Sequence, residues 1–313
     1  MLCRLLACPF DNGIQTMLRW RRGVTGAADG PAAILAHLPA GWPRELLPLE
    51  PFNLSPGPAN LFDAEFIRRQ QAATETAHAL VSAAAARQFG AGFRPLALGG
   101  DHSLTFPLLR GVQRALPHRR LGLVYIDAHL DMRPLESAAG VDRLVSSGNS
   151  FRRLLEAGLV AGSNIVAIGI HRSDSAVFGD MLAFARSHGV GVIFDADCDE
   201  PEAVAARALA AALAGTDGFY LSVDIDAVEA WAAPGVSAPA AAGLLPAFVL
   251  ALVRTLAGSG RLVAADVVEV SSRRQTWGEL FGQPSAENES DRQAKLLRTA
   301  KLAAQVVQII GEG

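Results

Sequence analysis

Cysteine is scarce in this chain, and what there is forms no pattern. Its 313 residues hold only Cys3, Cys8 and Cys198, an odd number without metal-type or redox spacing. That excludes a disulfide scaffold and favours a reducing, cytoplasmic setting. Long apolar runs are also missing. Half of the residues are hydrophobic, yet no stretch approaches the roughly 20 consecutive apolar residues that cross a bilayer, so a membrane is not an expected partner. The opening Leu5-Leu6-Ala7-Cys8 faintly resembles a lipoprotein cleavage site, but the apolar run before it is too short for a secretory signal; Leu5 to Ala7 reads as a buried strand ending at Pro9. Charge of one sign is lacking too. The net charge of −3 comes from interspersed acids and bases with no basic stripe, which argues against nucleic acid. Small molecules and copies of the chain itself remain as partners. There is no internal repeat.

What is present is a continuous alternation of apolar strand-like runs with helical stretches, the pattern of a parallel sheet covered on both faces. Strands are expected at Pro95–Leu98, Leu121–Ile126, Asn164–Ile170, Val190–Phe194, Gly218–Val223 and Arg261–Val270. Helices are expected at about Glu65–Phe89, with Asp63 as N-cap and Gly90 as stop, and at Leu104–Ala115, Ser150–Ala157, Asp174–His188, Glu202–Ala214, Pro246–Ala257 and Asp291–Ile310. The proline-rich segment 39–58 reads as a loop with one short strand. The polar, glycine-bearing segment 271–290 reads as a lid or wall. Length alone leaves one or two domains open.

Three short segments carry chemistry: Gly99-Gly100-Asp101-His102-Ser103, Asp127-Ala128-His129-Leu130-Asp131 and Ser222-Val223-Asp224-Ile225-Asp226. Each follows an apolar run, and ligands gather at the carboxyl ends of parallel strands. In an extended backbone, residues two apart share a face, so Asp127 with His129, and Asp224 with Asp226, are expected to project as pairs. Imidazoles and carboxylates without thiolates suit a borderline-to-hard divalent ion, with Mn²⁺ favoured over Zn²⁺, Fe²⁺, Co²⁺ or Ni²⁺. Crowded carboxylates without cations would repel and take up protons. Two close ions sharing a water would make a hydrolytic nucleophile. Taken singly, an Asp-x-Asp is common on surfaces, and a histidine after Gly-Gly-Asp could belong to a helix start; together they point to a two-metal site. His37, His78, His118, His171 and His188 lack acids in ligand spacing and read as surface or core residues. Asp101 is expected to orient the turn, with Gly99 and Gly100 supplying backbone freedom.

With these motifs, and with Asp11-Asn12-Gly13, Gly26 to Ile34, Ala233-Pro234-Gly235 and Asp266 to Val270, the chain resembles the ureohydrolases, the superfamily of arginase, agmatinase and formimidoylglutamase. The resemblance implies a single domain, residues 1–313, with a three-layer α/β/α sandwich around a central, mostly parallel sheet. It implies two Mn²⁺ per chain, one held by His102, Asp127, Asp131 and Asp224 and the other by Asp127, His129, Asp224 and Asp226. It further implies attack by a metal-bridging hydroxide, proton transfer to the leaving amine by Asp131, and pairing of Glu269 with the cationic end of the substrate. A homo-oligomer, trimer or hexamer, is implied as well.

Within the superfamily, three segments lean toward formimidoylglutamase. Arg133 stands where relatives carry small polar residues and could fork onto a substrate carboxylate. Ser146 to Phe151 resembles the formimidoylglutamase substrate loop, with Ser147 and Asn149 as candidate substrate contacts. The segment Pro234 to Ala241 resembles the same branch. The expected reaction is hydrolysis of N-formimidoyl-L-glutamate to glutamate and formamide in histidine breakdown. Alternatives are an agmatinase, arginase or guanidino-acid hydrolase releasing urea, and a non-catalytic metal-binding scaffold. Arg152 and Arg153 read as helix-surface charges that could reach the mouth. Glu229-Ala230 and Val270-Ser271-Ser272 depart from the Asp-Pro and Asn-Pro common among relatives.

Overall fold

The computed structural model describes residues 1–17, 26–49, 64–138, 140–240, 242–273 and 287–313. Eight strands form one sheet: β1 (Cys3–Ala7), β2 (Arg44–Leu46), β3 (Arg94–Leu98), β4 (Leu121–Ile126), β5 (Ile165–Ile170), β6 (Gly191–Phe194), β7 (Gly218–Asp224) and β8 (Leu262–Val268). Their order is β2-β1-β3-β8-β7-β4-β5-β6, and every pairing is parallel. Strands β3, β4, β5 and β7 are buried along their whole length. A sheet covered on both faces has no solvated side, so these strands are near-continuous apolar runs, broken by Arg94, Ser222 and Asp224, instead of alternating ones.

Alternate residues of each strand feed two cores. On one face Leu6, Ala97, Leu123, Tyr125, Ile165 and Ala167 meet helices α3 (Ala64–Gly90), α4 (Thr105–Ala115), α5 (Ser150–Glu156) and α6 (Ala176–Ser187). On the other, Leu5, Leu96, Val124, Ile126, Val166 and Leu221 meet α2 (Gly30–Leu35), α7 (Pro201–Ala212), α8 (Pro246–Ala257) and α9 (Glu289–Glu312). The result is the three-layer α/β/α sandwich. A short α1 (Asn12–Met17) follows β1.

Element ends differ from expectation where a cap or a proline decides them. Helix α7 begins at Pro201, one residue earlier than expected, a position where a missing N–H costs nothing; α8, which also opens on a proline, has the expected bounds Pro246–Ala257. Helix α9 begins earlier than expected because the Asn288 side chain accepts the Asp291 N–H at 2.9 Å, an N-cap. The short helices α1 and α2 were not expected; six residues are too few for a 3.6-residue period to show. The short strand expected within 39–58 is β2. Asp63 as N-cap and most of the 271–290 wall lie outside the described residues.

Two local expectations are corrected. Gly99 and Gly100 are not required for a left-handed backbone, since neither has a positive φ. They are required by close approach: a Cβ on Gly100 would stand 1.7 Å from the Phe10 carbonyl oxygen, and one on Gly99 2.6 Å from Val268 Cγ1. The paired residues also do not share an extended strand. Asp127 follows β4 and Asp224 ends β7, and each turns the chain by accepting an N–H two residues on, from His129 at 2.6 Å and from Asp226 at 2.9 Å. Aspartate side chains make such turns readily. The chain then folds back, so His129 and Asp226 reach the same rim from a turn.

Candidate metal centre and substrate pocket

The four central strands of the sheet, β3, β8, β7 and β4, are contiguous, and each ends in a site residue. His102 follows β3, Glu269 follows β8, Asp224 ends β7, and Asp127 follows β4. His102 is fully buried. Its position is set from three sides: the Ser150 hydroxyl donates to its carbonyl at 2.7 Å, its N–H donates to Glu269 Oε1 at 2.8 Å, and Phe151 packs edge-on to its ring. Phe151 is itself stacked on Tyr125. Asp101 orients the turn as expected, capping it through the Ser103 N–H at 2.9 Å. Its other oxygen accepts the N–H groups of Gly13 and Ile14 at 2.7 and 3.1 Å, which draws α1 to the rim.

Around His102 Nδ1 lie Asp127 Oδ2 at 3.1 Å, Asp131 Oδ2 at 3.2 Å and Asp224 Oδ2 at 3.0 Å. Around His129 Nδ1 lie Asp226 Oδ2 at 3.1 Å and Asp127 Oδ1 at 3.5 Å. Two ligand groups thus overlap at Asp127: one with His102 and Asp131, the other with His129 and Asp226. Asp224 stands between them, one oxygen beside His102 and the other on the Asp226 N–H. Buried His102 Nδ1, Asp127 Oδ2 and Asp226 Oδ1 have no hydrogen-bond partner, a costly arrangement unless something else satisfies them. Ligand atoms about 2.1 Å from a divalent ion and at right angles to each other stand about 3 Å apart. The spacing and the orphaned atoms therefore fit two cations.

Electrostatics agree. Burial, with the Asp226 and Asp127 charges, pushes the Asp224 carboxyl well above its usual range. Burial and the Asp127 charge raise Asp131, and burial raises Asp226. Carboxylates so crowded ionise fully only beside positive charge. Two of the acids are also held in the left-handed region, Asp131 at φ 45° and Glu269 at φ 66°, a conformation that collects at functional sites.

Beside this cluster lies a cavity of about 210 Å³ lined by His129, Asp131, Arg133, Ser147, Asp224, Asp226 and Glu269, together with Ile14, Met181, Ser237 and Ala238. Arg133 thus lines the pocket. Asn149 is not among its lining residues: its Oδ1 accepts the Ser146 N–H and its Nδ2 donates to the Leu144 carbonyl, so its amide shapes the loop that presents Ser147. Arg152 and Arg153 do not line it either. Arg152 pairs with Glu156 at 2.8 Å, and Arg153 is not a surface charge, its guanidinium lying 3.9 Å from the Phe106 ring centroid, with burial lowering its pKa to about 10. Glu269 is buried, accepts from Ser237 Oγ at 2.6 Å, and is pushed up to about 8 by burial and the Asp101 charge. Ile14, Met181 and Ser237 had no assigned role in the sequence; only Ser237 lay in a segment singled out for its resemblance.

The arginase family model matches residues 3–309. The chain belongs to the arginase family. A formimidoylglutamase of Citrobacter koseri is 32% identical over 273 residues, covering 86% of this chain and 78% of that protein. Among solved structures, an arginase from Bacillus subtilis superposes with a TM-score of 0.73 at 21% identity, covering 100% of this chain and 99% of that one. A Trypanosoma cruzi formiminoglutamase solved with Mn²⁺ superposes at 0.68, also 21% identical, covering 97% and 93%. As an arginase-family member the chain is a hydrolase of C–N bonds in guanidino or amidino groups. Among the described residues no helix is long and apolar enough to cross a membrane.

Proposed function

We propose that this arginase-family chain, acting as one domain in the cytoplasm and as a homo-oligomer, hydrolyses N-formimidoyl-L-glutamate to glutamate and formamide with two Mn²⁺ bound. The observation that carries the substrate is that Arg133 and Glu269 line one cavity together with Asp131, Asp224 and Asp226 of the carboxylate cluster. A formimidoyl group is cationic when protonated, and the glutamate portion is anionic; the pocket has an acid and a cation to match. The formimidoylglutamase of Citrobacter koseri supports the same choice by its similarity, and manganese is supported by the Mn²⁺-containing Trypanosoma cruzi relative.

Held by His102, Asp127, Asp131 and Asp224 on one side and Asp127, His129, Asp224 and Asp226 on the other, two divalent ions would supply a water of lowered pKa as nucleophile. The protein does the rest. Glu269 is fixed by the His102 N–H and the Ser237 hydroxyl, and a buried carboxyl whose pKa is raised gains most from a cationic partner, so the protonated formimidoyl nitrogen docks there. Arg133 anchors the carboxylate end, and Ser147, on the loop shaped by Asn149, borders the space between. Water adds to the formimidoyl carbon and the bond from that carbon to the glutamate nitrogen breaks. Asp131, at the cavity wall and 15% exposed, carries the proton to the departing nitrogen.

The test is a substrate panel with added Mn²⁺: N-formimidoyl-L-glutamate, agmatine, arginine and a guanidino acid. Glutamate and formamide are the expected products. Urea release from a guanidino substrate with no turnover of formimidoylglutamate overturns the assignment, and tight binding of every substrate without turnover would mark a non-catalytic scaffold.

A further inference from the structure

Beneath the rim lies a buried polar network that the reaction above does not use. Asp266 sits inside the apolar strand β8, fully buried, directly across from Ser222 on β7. It is the acceptor for three hydroxyls: Ser222 at 2.5 Å to Oδ1, and Tyr220 and Thr105 at 2.7 and 2.8 Å to Oδ2. Tyr220, Ser222 and Asp224 alternate along β7, so they share one face. Ser222 Oγ also lies 3.0 Å from His102 Nε2.

Each hydroxyl has one proton. Those of Ser222, Thr105 and Tyr220 are directed to Asp266; burial raises its carboxyl pKa, and the three donors act against that and favour its ionised form. No hydroxyl proton is left for the Ser222 to His102 contact, so the hydrogen there belongs to His102 Nε2. With Nε2 protonated, neutral His102 must present the Nδ1 lone pair, and Nδ1 is the atom within 3.2 Å of Asp127, Asp131 and Asp224. We propose that Asp266 is a positioning residue that, through Ser222, fixes the tautomer and orientation of His102 so that Nδ1 faces the carboxylate cluster. It is an extended form of the carboxylate–histidine–metal arrangement, with a serine hydroxyl inserted. This rests on His102 being a metal ligand.

The test is a Mn²⁺ titration of the full-length protein, counting bound ions and affinities, for wild type, Ser222→Ala, Asp266→Asn and His102→Ala. Two ions are expected on wild type. Ser222→Ala and Asp266→Asn should weaken the His102-side ion by about tenfold or more and leave the His129-side ion at wild-type affinity, a selectivity that general destabilisation would not produce. Ser222→Thr, which restores a hydroxyl, should recover binding where the near-isosteric Ser222→Val does not, so the test survives if one variant misfolds. In Zn²⁺-loaded protein, the hydrogen-bonded Nε2 proton of His102 should be visible by NMR and shift in Asp266→Asn. If wild type holds two ions, His102→Ala loses one, and the Ser222 and Asp266 variants bind both normally, the relay is wrong. If wild type holds fewer than two ions, or His102→Ala loses none, the metal assignment fails and the relay with it.

Discussion

At the scale of single residues, the proposed division of the pocket's polar groups between the two ends of a substrate can be tested kinetically. Arg133→Ala removes a charge-assisted contact worth about 1.5–3 kcal/mol, so KM for formimidoylglutamate should rise by about 10- to 100-fold with little change for agmatine, whose far end is an amine. A matching loss on agmatine would show that Arg133 does not read a carboxylate. Glu269→Gln keeps an oxygen for the His102 N–H and should leave both ions bound while lowering kcat/KM for every cationic substrate. Metal analysis alongside kinetics on the two variants distinguishes these roles. The candidate ligands that gather at the rim were legible in the sequence because acids and imidazoles are unusual beside apolar strands, whereas Arg133 and Glu269 were reached chiefly through the family resemblance; the structure brings both to the cavity wall. The part played by Asp266 was not legible, since it depends on which residue lies across from Ser222, and strand register is absent from any local stretch of sequence. Nor was the burial of Arg153, which depends on Phe106 from another helix.

At the scale of elements, the strands were readable because a sheet buried on both faces demands nearly uninterrupted apolar residues, and β4 matches its expected bounds while its neighbours differ by at most a few residues. The turns after them were less readable. A turn depends on where one side-chain oxygen finds an N–H, as at Asp127 and Asp224, and on how near another segment passes. Gly100 shows the second case. Its Cβ position is 1.7 Å from a backbone oxygen of Phe10, an atom that cannot swing aside as a side chain can, so Gly100→Ala should destabilise the protein by about 3 kcal/mol or more and disturb His102 two residues on. Gly90 has open space at its Cβ position and no positive φ, so Gly90→Ala should be neutral or slightly stabilising. Denaturant midpoints of the two variants test the contrast; equal midpoints would refute close approach as the reason for Gly100.

At the scale of the whole molecule, the candidate ligand set is drawn from the ends of three strands, β3, β4 and β7, that are separate in the chain but adjacent or nearly so in the sheet. Three of these residues, Asp224, Asp226 and Asp131, oppose closure of the rim when no cation is bound, because burial and like charge push them toward protonation. Cations that bind only the folded chain therefore add stability by mass action, and relief of this repulsion is part of what sets their affinity. Mass action alone contributes about 2.7 kcal/mol per site when free metal is 100 times its Kd, and for a chain of this size each kcal/mol moves Tm by roughly 2–4 °C. Full Mn²⁺ loading should then raise Tm by at least about 5 °C over chelator-treated protein in calorimetry. Asp127→Ala, which takes the shared carboxylate from both ligand groups, should abolish most of that rise, and its metal-free form should melt below metal-free wild type, since against burial the His102 and His129 imidazoles hold the Asp127 carboxyl below its usual range and its oxygen accepts the His129 N–H at 2.6 Å. A metal-free Asp127→Ala protein that melted level with or above metal-free wild type would mean that like charge in the cluster outweighs the hydrogen bond to the His129 N–H, and that the rim closes only when cations arrive.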